Sequence, residues 1–286
     1  MRGSDVYYET HTPYISDLMS AKLRKFALNA DFAKDEGAHK GGSAMFLPYD
    51  DEYAVLYSKI FTENRIKPEE YNQVIEEVHN LFMNGYKVAP ILGYLYNAKG
   101  TGIPNPNYNG KVNRDYIFLQ RAPGYNLSDL HGYHNFIDKK EAILNSPDTY
   151  FTELAETLNA ILNSKINPDF NPGNIIYGKN AGFNFCDFNT LEEHKDETMK
   201  VAHIRQFLES FLIPSLSLRR PDKAERTFDF MGGKEKYFKT AKEEQKVITD
   251  KLSKIPKMRG MVDGAIKTSL PFNEFLQCES ISDIYR

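Results

Sequence analysis

The sequence predicts an α+β chain in two parts: a small antiparallel sheet with one main helix, then a larger and mainly helical part. Three observations carry this. Alternating apolar runs bounded by turn residues gather before residue 122, apolar residues at helical spacing dominate after residue 140, and the run "QRAPG" between them breaks both patterns. At 286 residues the chain is long enough for one large domain or two modest lobes. The reading is an N-terminal helical extension over 1–30, a sheet lobe over 31–122 and a helical lobe over 123–286, with the junction near Arg121–Gly124.

Each element follows from its local pattern. "SDLMSAKLRKFALNA" places Leu18, Ala21, Leu23, Phe26 and Leu28 near helical spacing. "EGAHKGGSAMFLPYDDEYAVLYSKIF" reads as a Gly-rich turn, a strand, the turn "YDDE" and a second strand. "KPEEYNQVIEEVHNLFMNGY" has Pro68 in its first turn, acids behind it and Gly85 to end it, which marks a helix. "VAPILGYLY" and "DYIFLQRA" read as strands joined by the loop "NAKGTGIPNPNYNGKVN". "SPDTYFTELAETLNAILNSK" opens on a Ser-Pro cap signal and repeats Phe151, Leu154, Leu158, Ile161 and Leu162. "NIIYG" and "FNFCDF" form a short hairpin. "MKVAHIRQFLESFLIPSL" and "KYFKTAKEEQKVITDKLSKI" are helical.

Composition excludes some classes. Apolar residues make up 41% and charged residues 26%, the balance of an ordinary folded core. A net charge of −3 exerts no general pull on nucleic acid, so no nucleic-acid partner is expected. No stretch approaches the roughly 20 apolar residues of a membrane span. The start lacks the apolar core of a signal peptide, and two cysteines, Cys186 and Cys278, are too few for a disulfide framework, so a cytoplasmic setting is expected.

The stretch "INPDFNPGNIIYGKNAGFNFCDF" carries the chemistry. Asp169 and Asn174 stand five positions apart, and Asp187 follows Asn174 by thirteen. Read locally, Asp169 and Asn174 also suit a Pro-Gly turn. The ordered set of motifs from about Gly37 to about Thr190 resembles the protein-kinase-like fold, shared by protein kinases and by aminoglycoside- and choline-type phosphotransferases. That resemblance implies an ATP- and Mg²⁺-dependent enzyme. It gives Asp169 the role of the catalytic-loop Asp that orients the attacking hydroxyl. Asn174 and Asp187 become the metal ligands, the latter in "CDFN" where the family has "DFG". A carboxylate and an amide oxygen are hard donors of the kind Mg²⁺ requires.

The first half supplies the nucleotide contacts that the resemblance implies. Lys59, ending "YAVLYSK", resembles the "VAIK" lysine that holds phosphates, although a lysine near a strand end is also an ordinary surface residue. Its helix partner follows from geometry: Glu77 falls at the edge of the apolar stripe Tyr71, Val74, Val78 and Leu81, whereas Glu76 falls on the solvent side. Gly37, Gly41, Gly42 and Ser43 lie where a phosphate-covering loop is expected, without a clean "GxGxxG"; a plain turn fits them nearly as well. "IFLQRAPG" fits the linker, with Phe118 behind the adenine and backbone groups from Gln120 to Ala122 at its edge. Phe118 is equally a core residue in any fold.

The chain departs from the pattern in places. "HRD" reads Asn167-Pro168-Asp169, the lysine two residues after the Asp is Asn171, the "DFG" glycine is Asn189, and no "APE" is evident. Such losses resemble those of bacterial effector kinases, small-molecule phosphotransferases and pseudokinases. Three functions therefore stand: a protein Ser/Thr kinase of the bacterial effector (virulence) type, delivered into a host cell; a small-molecule kinase; and a nucleotide-binding pseudokinase that acts through a partner. The acceptor is accordingly a protein or a small molecule. Residues 215–260 hold thirteen Lys and Arg against seven Asp and Glu, so the rest of the chain carries −9. That asymmetry marks the segment as a candidate surface for a polyanion or an acidic partner, or as a solvated helical face.

Overall fold

A computed structural model describes residues 8–11, 16–29, 39–40, 44–58, 68–98, 114–127, 141–188, 190–210 and 234–268. They form an α+β architecture in two compact units. The first comprises the described residues within Met1–Met83, Ala89–Ala122 and Asn189–Leu191; the second comprises those within Asn84–Val88, Pro123–Phe188 and Glu192–Arg286.

The first unit is built on a six-stranded antiparallel sheet of order β1-β5-β6-β4-β3-β2. Its strands are β1 (Tyr8–His11), β2 (His39–Lys40), β3 (Ala44–Pro48), β4 (Tyr53–Ser58), β5 (Ile91–Ala98) and β6 (Arg114–Gln120). The expected "YDDE" turn joins β3 to β4. Asp50 Oδ1 accepts hydrogen bonds from the amides of Glu52 (2.9 Å) and Tyr53 (2.7 Å), the local capping that suits Asp to such a corner.

Two helices pack in this unit. In α1 (Asp17–Asn29), Leu23 and Ala27 are buried with Leu47, Val55, Leu92, Tyr116 and Phe118. The helix was expected, but its buried face is turned from the expected one. Met19, Ser20, Leu23, Phe26 and Ala27 face inward, while Leu18 is 68% exposed and Ala21 is exposed. Counting apolar residues misplaces the stripe because Ser20 and Ala27 are small enough to lie against the sheet. In α2 (Pro68–Met83), Tyr71, Val74, Ile75, Val78 and Leu81 are buried, and Tyr71 meets Tyr94 of β5 edge-on at 5.2 Å. The chain leaves α2 through Gly85 at φ +83, a conformation that favours glycine.

The second unit contains the three-stranded sheet β7-β8-β9, from β7 (Tyr125–Asn126), β8 (Ile175–Gly178) and β9 (Gly182–Phe185). It also contains α3 (Asp148–Asn163), α4 (Glu197–Ser210), α5 (Lys234–Ser253) and α6 (Pro256–Thr268). The inward face of α3 is the expected one: Phe151, Leu154, Leu158, Ile161 and Leu162 are all buried. Its start differs. Ser146 does not cap the helix; its hydroxyl donates to the Ala142 carbonyl (3.0 Å) and bonds the Tyr177 hydroxyl (2.6 Å). The N-cap position falls on Pro147, and the buried Tyr177 hydroxyl also donates to the Ala142 carbonyl (2.9 Å).

Gly124 is required by close approach. A Cβ there would lie 2.1 Å from the Tyr177 carbonyl oxygen, so β7 can reach β8 only with glycine at its entry.

Candidate functional site

The hairpin β8–β9 sets the positions of the three residues singled out from the sequence. Asp169 lies in the segment before it, Asn174 ends a 3₁₀ turn (Pro172–Asn174) leading into β8, and Asp187 follows β9. The turn is locally determined. Asn171 Oδ1 accepts from the Gly173 amide at 2.9 Å and Pro172 occupies the first helical position. The hairpin is fixed from below by aromatic packing: Phe170 lies 5.4 Å from Phe185 and 5.9 Å from Phe207, and Phe183 lies 5.1 Å from Tyr177. The strap 84–88 runs alongside. Lys87 accepts from the Phe185 amide (2.9 Å), donates its own amide to Thr157 Oγ1 (3.1 Å), and pairs its ammonium with Glu153 at 3.3 Å.

Asn174 is buried, and its Nδ2 donates to both the backbone carbonyl (3.1 Å) and Oδ2 (3.2 Å) of Asp169. Two acceptors on one side fix the amide's orientation, since a flip would set oxygen against oxygen. Its Oδ1 must therefore point away from Asp169. The same residue's backbone carbonyl accepts the Cys186 amide at 3.0 Å, which holds the end of β9 next to the turn. Asp169 itself is exposed, and its second oxygen, Oδ1, accepts from Gln206 Nε2 of α4 at 2.9 Å. The "turn" reading of Asp169 and Asn174 is thus incomplete: the two are joined by side-chain bonds, and α4 joins them from outside the turn.

Asp187 has φ +63, the only non-glycine residue with positive φ among the described residues. An L-residue there costs roughly 1–2 kcal/mol, and Asp tolerates it better than most. Such outliers persist where the surroundings impose them, often at functional positions. Cys186, just before it, is half-buried with its thiol 3.5 Å from the Asn174 carbonyl. Burial, and then the neighbouring Asp187 charge, push the thiol pKa up to about 12, so it stays protonated and unreactive.

The donor set fits Mg²⁺ shared with a phosphate ligand. Among the described residues no group of three or more His, Cys, Asp or Glu side chains gathers. A carboxylate (Asp187) and an amide oxygen (Asn174) are donors of the hard kind that Mg²⁺ takes together with waters and phosphate oxygens.

The residues expected from the first half fare differently. Glu77 is half-buried at the margin of the buried face of α2 and Glu76 is exposed, as the helical geometry requires. Lys59, Gly37, Gly41, Gly42 and Ser43 lie outside the described residues. Phe118 is 1% exposed and belongs to the buried cluster that includes Leu23 and Ala27 of α1. The Gln120 and Arg121 amides already donate, to Pro90 (3.1 Å) and Glu52 (2.8 Å), because β6 continues its pairing to that point.

Gln206 is the residue the motifs did not indicate. Nothing local marks it; its place follows from α4 packing on Phe170, with Phe207 as the buried neighbour.

No protein-family model matches the sequence, and no curated protein matches it. Among solved structures, the chain is similar to an apo pseudokinase at TM-score 0.41 and 12% identity, over 86% of this chain and 94% of that one. The pseudokinase domain of BIR2, an immune regulator of the RLK/Pelle family, gives 0.40 and 13%, over 90% and 93%. The bifunctional kinase-methyltransferase WbdD gives 0.32 and 15%, over 78% of this chain and 50% of that one.

Proposed function

We propose that the protein is an ATP- and Mg²⁺-dependent phosphotransferase, most specifically a protein Ser/Thr kinase of the bacterial effector type. The observation that carries this reading is the Asp169–Asn174 side-chain pair on the turn before a hairpin that ends in the strained Asp187.

In the reaction, the acceptor hydroxyl donates its proton to Asp169 as its oxygen attacks the γ-phosphorus. The bond from that phosphorus to the β–γ bridging oxygen breaks, and ADP leaves. A carboxylate has about four acceptor sites. Two amides use two, and the exposed side chain keeps others for a hydroxyl. Asn174 fixes the carboxylate. A Mg²⁺ ion, which Asn174 Oδ1 and Asp187 would hold, supplies charge neutralisation at the phosphates. Lys59, steadied by Glu77, is assigned to the α- and β-phosphates, and the turn with Gly37, Gly41, Gly42 and Ser43 to their cover.

Calorimetric titration of ATP tests this reading first. Binding is expected with Mg²⁺ and not with excess EDTA, and Asp187→Ala should remove the difference. Nucleotide binding indifferent to both changes would refute the metal roles.

A further inference from the structure

One face of α4 carries His203, Gln206 and Phe207, at positions i, i+3 and i+4. All three meet the segment around Asp169. Phe207 is buried, 5.9 Å from Phe170 and 6.1 Å from Phe185. His203 sets its ring edge-on to Phe170 at 6.4 Å and bonds Glu192 at 3.0 Å through Nε2. Gln206 Nε2 lies between them and donates to Asp169 Oδ1 at 2.9 Å.

The Asp169 carboxylate is therefore gripped at both oxygens. Asn174 holds Oδ2 from the turn, and Gln206 holds Oδ1 from a helix 37 residues further along the chain. A single bond at one oxygen leaves a carboxylate free to rotate about χ2. Two bonds from separately anchored elements fix its plane, and a fixed plane keeps a lone pair aimed at one point. Both donors are neutral amides. A lysine or arginine at position 206 would hold the carboxylate as firmly but would make it a weaker proton acceptor. Anchoring of the loop does not require Gln206, since Phe170 and Phe207 already bury their rings together. Asn171, the other amide nearby, is turned to the Gly173 amide.

We propose that Gln206 is a positioning residue for phosphoryl transfer, setting the plane of the Asp169 carboxylate for the acceptor hydroxyl. The role rests on the reading of Asp169 as proton acceptor.

Two near-isosteric variants of the full chain test it, Gln206→Met and Gln206→Glu, with ATP and Mg²⁺ as substrates and water as the acceptor. Hydrolysis by Q206M should fall about tenfold in kcat, and by Q206E about a hundredfold, with the KM for ATP within about twofold of wild type. In parallel, the side-chain amide resonances of Gln206, identified by their loss in Q206M, should move in Asp169→Asn. Unchanged kcat in both variants, or a loss confined to KM, overturns the positioning role. Unmoved amide resonances overturn it as well, by removing the contact. A wild-type protein that binds no nucleotide and hydrolyses none overturns the reading of the site itself. That case is told apart because the amide resonances still respond to D169N.

Discussion

Asp187 combines a carboxylate, proposed as a Mg²⁺ ligand, with a backbone that few L-residues adopt. The two properties make opposite demands, and substitution separates them. Asp187→Gly should relieve the positive φ and raise stability by up to about 1 kcal/mol, seen as a higher urea midpoint, while abolishing Mg²⁺-dependent nucleotide binding. Asp187→Ala keeps the strain and should lose the same function without the gain. If Gly fails to stabilise, the strain is not imposed by the fold. Asp169→Ala should spare ATP binding and lower transfer by roughly two to four orders of magnitude, the range for loss of a general base. Wild-type turnover in that variant would remove the residue from the mechanism. Asp169, Asn174 and Asp187 were picked out by the ordered motifs that resemble the protein-kinase-like fold, which are local to one turn and one hairpin. Those motifs could not indicate Gln206, whose partner lies 37 residues away, nor the positive φ of Asp187.

At the scale of elements, α4 and the β8–β9 hairpin act as a pair through Phe170, Phe185 and Phe207. Phe207→Ala should open a cavity under the hairpin and cost about 3–5 kcal/mol, measured by chemical denaturation. A smaller loss would mean the aromatic layer repacks. Helix existence was legible wherever the apolar period was strong, as in α2 and α3. The face of α1 was not, since its burial includes Ser20 and leaves out Leu18. Nor was the start of α3, where the N-cap position falls on Pro147 and the Ser146 hydroxyl bonds Ala142 and the distant Tyr177. Phe118 shows the same limit: an aromatic on a strand is read equally well as ligand contact or core, and it lies in the buried cluster with Leu23 and Ala27. The proposed function pairs Lys59 with Glu77. Lys59→Ala and Glu77→Ala should each reduce transfer, and the double variant should lose less than the product of the two effects. Independent effects would dissolve the pair.

For the whole molecule, charge is distributed unevenly, with an excess of six positive charges in 215–260. Within α5 and the turn after it, Lys236, Lys239, Lys246 and Lys254 are exposed, while Lys251 bonds Asp148 and lies 5.6 Å over the Phe151 ring. A polyanion docking there should raise the melting temperature at low salt, and the effect should fade as ionic strength approaches physiological values, where screening acts over about 8 Å. Reversal of Arg219, Arg220 and Lys223 to Glu should cancel that shift and leave ATP binding intact. A melting temperature indifferent to a panel of polyanions would make the segment a solvated face. Among the described residues, no helix is long and apolar enough to cross a membrane. The central claim is that the cluster of Asp169, Asn174 and Asp187 transfers phosphate. Its most direct measurement is transfer of label from γ-labelled ATP by wild type, Asp169→Ala and Asp187→Ala, with Mg²⁺ or EDTA, alone and in a cell lysate. The account predicts Mg²⁺-dependent transfer by wild type that both substitutions abolish. Labelling that persists equally in both variants, or ATP bound by wild type with no transfer to protein, small molecule or water, would contradict it.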